Sequence, residues 1–309
     1  MTRKNPKPIS SRREFMARGA ALLGAAAAFV APTGIRRVDA AAALRGPAEP
    51  QIRFGLVTYQ WGRDMDLPSL IAACEKTGLA GVELRTQHLH SVEPAMSALQ
   101  RTEVRKRFED SPVELVGYGS NAQFHDNDES AVRENIELTK RYIQLMHDCG
   151  GSGVKVKPNG FVDGVPREKT IAQIGRALNV VGAYGQQYGQ QIRVEAHGAG
   201  TSELPVMKAI FDIADHPNVA VCWNSNKVDL EGAGLARNFE LVKQRLGATT
   251  HVRELTLGDY PYDQLFSLLV KSGYRGWVLL EAHDDPPDRL AALMAQRMEF
   301  ERLMSSIEV

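Results

Sequence analysis

From residue 51 onward, short apolar or β-branched runs alternate with longer stretches of helical period, and they do so eight times. Strands are expected at 52–58, 80–85, 112–118, 152–157, 191–196, 218–224, 248–253 and 276–281. Helices are expected near 67–77, 97–109, 129–149, 167–188, 203–215, 235–246, 261–272 and 287–306. The punctuation agrees: Asp66 precedes Leu67-Pro68, Ser202 precedes Glu203, and Pro261 opens a helix. Gly78, Gly150, Gly189 and Gly273 stand where helices should stop. A strand that must return parallel to its neighbour needs a crossover helix, so eight such units predict an α/β chain closed into a single-domain (β/α)8 TIM barrel. A doubly wound sheet is the alternative. It usually carries a glycine-rich first turn, and "GLVTYQWG" (55–62) has no GxGxxG.

The residues before the barrel read differently. "SRREFMA" (11–17) places Arg12-Arg13 ahead of an apolar stretch, "GAALLGAAAAFVAP" (19–32), and "VDAAAA" (38–43) offers small-residue cleavage positions. This resembles a twin-arginine export signal. The expected organisation is a signal over 1–42, a linker over 43–50 and the barrel over 51–309. The expected location is the periplasm, reached through the twin-arginine export machinery. The other reading is a basic tail before a short helix, or an uncleaved anchor. The apolar stretch is shorter than the ~20 residues a stable span requires, and no other segment reaches that length. Charge is balanced at 37 basic and 37 acidic residues, so the broad positive field of a nucleic-acid binder is missing. Cys74, Cys149 and Cys222 form no CxxC pair, and are expected as buried thiols rather than zinc ligands.

Side chains alternate faces along a strand, and that alternation exposes a second pattern. In "GVELR" (81–85), Val82 and Leu84 alternate with Glu83 and Arg85. In "GVKVK" (153–157), Val154 and Val156 alternate with Lys155 and Lys157. In 191–197, Ile192, Val194 and Ala196 alternate with Gln191, Arg193, Glu195 and His197, and His251 and Arg253 flank Val252. The apolar sets belong under the helices and the charged sets in the lumen. Glu83, Lys155 and Arg193 are expected to form a paired structural network low in the barrel. The upper rim, where the strands end, is where barrel enzymes place their sites.

Six of the 8 histidines fall at or just after predicted strand ends: His88, His90, His125, His197, His251 and His283. Glu195 ends the fifth strand, Asn224 the sixth and Glu281 the eighth. Inward from strands five to eight come Glu195, Asn224, His251 and Glu281, three oxygen donors and one imidazole. That mixture suits one hard or borderline divalent ion such as Mn²⁺, Mg²⁺ or Co²⁺.

At these residues the chain resembles the xylose isomerase-like TIM barrels, often named sugar phosphate isomerases/epimerases. The resemblance spans about 51–309 and rests on "GVELR", "VEAHG", "VCWNSN", His251 and "LLE". It implies a metal set of Glu, Asp, His and Glu on strands five to eight, which falls on Glu195, Asn224, His251 and Glu281. Asn224 departs: the family usually has aspartate there, so the site loses one negative charge. The resemblance also implies a metal-dependent isomerase or epimerase acting on a carbohydrate. Glu195 and Glu281 would exchange a proton next to a carbonyl, and Lys157 would stabilise enolate charge. His197, His125 and His88 are candidate substrate contacts, as are Tyr59 and Trp61 after the first strand. Export argues for a non-phosphorylated sugar or derivative. The alternatives are a 3-keto-glycoside lyase or hydratase on the same site, and a sugar-binding relative without turnover. Nuclease chemistry on a three-metal, histidine-rich cluster is disfavoured by the neutral charge and the export signal.

Overall fold

The computed structural model describes residues 52–307; the expected signal and linker lie outside them. Eight parallel strands close into one barrel, ordered β1 to β8 with β1 paired to β8. The strands are β1 (Arg53–Val57), β2 (Gly81–Arg85), β3 (Glu114–Gln123), β4 (Gly153–Lys157), β5 (Gln191–Glu195), β6 (Val219–Asn224), β7 (Leu246–Val252) and β8 (Trp277–Leu280). The helices between and after them are α1 (Leu67–Thr77), α2 (Ala98–Glu109), α3 (Glu129–Cys149), α4 (Arg167–Gln187), α5 (Leu204–Phe211), α6 (Leu235–Val242), α7 (Tyr262–Lys271) and α8 (Arg289–Ser305). The fold is the one expected, a single (β/α)8 barrel.

Local chemistry sets the helix ends. Asp66 caps α1 by accepting the Ser69 N–H at 2.9 Å, and Gly78 ends the helix at φ 73°. Ser97 and Gln100 exchange bonds in a capping box at the start of α2. The helix expected to open behind Ser202 starts one residue later, at Leu204, with Glu203 at the cap position and no side-chain bond there.

The main core fills the space between sheet and helices, where Phe54, Val82, Leu84, Val154, Ile192 and Val194 are buried. The lumen is divided. On the β1, β3 and β8 side Val57, Val116, Trp277 and Leu279 form a small apolar cluster. Elsewhere it is ionic, with Glu83, Lys155, Arg193 and His251 all buried. Arg193 is structural, but neutral acceptors hold it instead of the expected ion pair: it donates to Val116 O at 3.0 Å, Ser152 Oγ at 2.8 Å and Gln191 Oε1 at 3.2 Å. Gly117 and Gly153 make its room, since a β-carbon on either would lie 2.6 and 2.7 Å from the guanidinium. The three cysteines are buried and free. Among the described residues no helix is long and apolar enough to cross a membrane.

Candidate active site

A cavity of about 500 Å³ opens at the C-terminal ends of the strands. Glu195, Asn224 and Glu281 line it, together with Lys157, His197 and Tyr59. Parallel pairing sets the depth of this ring: Asn224 is level with His251, and His251 with Leu279, two residues before Glu281. Glu195, His251 and Glu281 each bring one ligand atom to within 4.8 Å of the others, and all three are buried.

This donor set fits a divalent ion. Both ring nitrogens of His251 are buried and, among the described residues, neither has a well-aligned hydrogen bond, although a carboxylate oxygen stands near each. Nδ1 lies 3.6 Å from Glu281 Oε2, and Nε2 lies 3.2 Å from Glu83 Oε1. Asn224 stands in the same ring, but its Nδ2 donates to Glu195 Oε1 at 2.8 Å. The carboxylates also have cationic neighbours. Lys155 Nζ donates to Glu195 Oε2, and Arg85 Nη1 to Glu281 Oε1 at 3.1 Å. Burial, the largest single influence, opposes ionisation of Glu195, but Lys155 together with His251 and His197 holds the carboxyl below its ordinary range. Burial opposes Glu281 too; His251, Lys155 and Arg85 hold it well below. Lys157 has no such carboxylate. Burial first, and Lys155 second, bring its ammonium down to about 8.

Lys155 is therefore not confined to a network low in the barrel. Its Cα is level with Arg193, one inward layer below Glu195, and its four-carbon stem carries the ammonium up into the site. Glu83 likewise sits beside His251 rather than deep under it. Strand alternation puts Lys155 on the inner face; it does not say how high the side chain reaches. Arg85, the last inward residue of "GVELR", follows from the same alternation and joins the site as the partner of Glu281. Asn121 on β3 gave no signal. Its Oδ1 lies 3.2 Å from Arg85 Nη2 and 3.4 Å from Lys157 Nζ.

The histidines of the rim separate. His197 and His283 line the cavity, and His283 meets Tyr59 edge-on at 5.3 Å. His88, His125 and Trp61 do not line it. His88 Nδ1 is 3.1 Å from Thr58 Oγ1, and burial pulls its ring down to about 4. The Trp61 indole is buried and donates to Asp284 O at 2.9 Å, bordering a neighbouring cavity. The loop after each strand decides where such residues go, and three of the expected contacts turn away from the pocket.

The family described as xylose isomerase-like TIM barrel matches residues 71–301. No curated protein matches. Among solved structures, an L-ribulose 3-epimerase superposes with a TM-score of 0.72 at 15% identity, over 82% of this chain and 95% of that one. The IOLI protein with a bound zinc atom gives 0.70 at 16% identity, over 83% and 99%. A 3-keto-D-glucoside 4-epimerase from E. coli gives 0.68 at 14% identity, over 82% and 99%. With the family match covering most of the barrel, the chain belongs to the xylose isomerase-like TIM barrel family.

Proposed function

We propose that the chain is an isomerase or epimerase that moves a proton next to a carbonyl of a non-phosphorylated sugar or sugar derivative. One observation carries this reading: two buried carboxylates, Glu195 and Glu281, converge on one cavity, and both are held ionised by cations. An ionised carboxylate beside a sugar carbon is a base; once protonated, it is the acid that returns the proton. Glu195 removes the proton and Glu281 delivers it, on the opposite face for epimerisation or at the adjacent carbon for isomerisation. A divalent ion (Mn²⁺, Mg²⁺ or Co²⁺), held by Glu195, His251, Glu281 and the amide oxygen of Asn224, would supply Lewis acidity to the carbonyl. Lys157 offers positive charge to the developing enolate, and Arg85 fixes the orientation of Glu281. His197 and Tyr59 hold sugar hydroxyls and a ring face at the mouth. The epimerases with the same fold support this class. Arg12-Arg13 supports export to the periplasm, where free sugars rather than sugar phosphates are the available substrates.

The test is deuterium wash-in from solvent across a panel of free sugars and 3-keto glycosides with Mn²⁺ present. Wild type is expected to exchange one carbon-bound hydrogen and to give a product of equal mass. Glu195→Gln is expected to lose ~10²–10⁴-fold in exchange rate. Exchange by Glu195→Gln at the wild-type rate would refute the assignment of the base. Release of an aglycone would instead establish the lyase.

A further inference from the structure

We infer that Lys155 is a built-in cation of this site, whose ammonium competes with a divalent ion for Glu195 and keeps metal affinity low. The inference rests on the cation seat proposed above, but metal affinity and proton exchange are separate readouts, so either can fail alone.

Both oxygens of Glu195 are already engaged, Oε2 by Lys155 Nζ and Oε1 by Asn224 Nδ2 at 2.8 Å. On the other flank Arg85 Nη1 engages Glu281 at 3.1 Å. Each carboxylate of the seat therefore has its own cation before any metal arrives. An ion joining Glu195, His251 and Glu281 would add two positive charges to a cluster already near neutrality, a few ångströms from a buried ammonium. It would also need Asn224 to turn its amide, because Nδ2 cannot ligate and faces Glu195 as it stands. In the aspartate-containing pattern that this family resemblance implies, a third carboxylate would meet that charge; Asn224 supplies none.

Lys155 is placed for this role by the fold. Its side chain is fully buried, so water cannot solvate the ammonium in compensation. Its stem passes over Gly119, where an added β-carbon would lie 3.2 Å from both Lys155 Cε and Glu83 Oε1. The strand opposite Lys155 thus omits a side chain where the lysine must rise. Lys157, on the same face, has no bonded carboxylate among the described residues and donates to Asn121. Of the two inward lysines of β4, Lys155 is the one bonded to the proposed metal ligand.

Mn²⁺ titration calorimetry on tag-free, full-length protein tests this, comparing wild type, Lys155→Met and Lys157→Met. Lys155→Met is expected to bind one Mn²⁺ per chain at least roughly tenfold more tightly than wild type, because a buried carboxylate left without its cation recruits the ion. Lys157→Met, with the same change in net charge, is expected to gain less. Equal or weaker Mn²⁺ binding by Lys155→Met overturns the inference. An equal gain in Lys157→Met overturns it too, by reducing the effect to general charge. Should metal-free Lys155→Met fail to fold, melting with Mn²⁺ against melting with chelator decides. A larger Mn²⁺-dependent rise in Tm than in wild type supports competition, and no rise refutes it.

Discussion

Asp229→Asn is expected to shift stability in favour of the variant as pH rises from acid to neutral and alkaline values. Asp229 lies in the short turn after β6 and is fully buried. Its Oδ2 accepts the Asn226 N–H at 2.9 Å and the Tyr260 hydroxyl at 2.9 Å, while Oδ1 has no partner. Burial outweighs these two bonds and pushes the carboxyl up from 3.8 to about 7. The sign follows from proton linkage. Well below 3.8 both folded and unfolded chains carry the proton, and the group is neutral in the balance. Between pH 4 and 7 the unfolded chain ionises first, so stability falls as pH rises. A shift of about three units at 1.36 kcal/mol each sets a ceiling of about 4 kcal/mol, reached above pH 7. An asparagine in the same rotamer keeps both bonds by turning its oxygen to the Oδ2 position and cannot ionise, but its NH2 group then falls at the unpartnered Oδ1 position, a pH-independent cost of about 1–3 kcal/mol. Urea unfolding of wild type and variant from pH 4 to 9 measures the difference. It should shift by ~2–4 kcal/mol in favour of the variant between pH 4 and pH 8, on top of a constant offset set by the amide. A difference independent of pH would refute the reasoning, because a change in packing or bonding alone has no reason to follow the ionisation of an aspartate.

Two other outcomes are expected. Arg193→Met removes a buried guanidinium with three hydrogen bonds and leaves Glu83 with less compensation, so it should cost ~3–5 kcal/mol by urea unfolding; under ~1 kcal/mol would mean that the lumen relaxes around the loss. Replacing Arg12 and Arg13 together by lysine should leave folded protein in the cytoplasmic fraction, whereas unchanged periplasmic recovery would remove the twin-arginine reading.

The barrel was legible because alternation of apolar and charged residues marks a strand with two different faces. "GVELR" and "GVKVK" declare themselves in five residues each, and both strands start and end where the pattern does. β3 was expected to stop at 118 but runs to Gln123, because "GSNAQ" offers neither apolar runs nor alternation. Its continuation is enforced by the neighbours, with Gly119 opposite Lys155 and Gln123 opposite Lys157. That extension carries Asn121, the bridge between Arg85 and Lys157, so nothing in the local sequence marks it as part of the site. The four-residue ring could be read because strand position gives both height and direction. His88 and His125 could not be placed in the same way. They stand in loops, where position after a strand fixes height and leaves direction to local bonds such as that between His88 and Thr58.

Asn224 and Lys155 are best understood as one feature. A buried ion pair is rarely retained for stability, since apolar residues of similar size commonly do as well. The apolar half of this lumen, around Trp277 and Leu279, shows that the barrel can be filled that way. The ionic half must therefore be judged by what it does at the rim, where Lys155 and Asn224 between them hold both oxygens of Glu195. With Asp at 224 and no metal, a second carboxylate would press against Glu195 with one ammonium to serve both. With Asn224 and no Lys155, Glu195 would be buried with an amide and no positive charge bonded to it. Each residue makes the other tolerable, and together they position and ionise the proposed base before any metal or substrate enters.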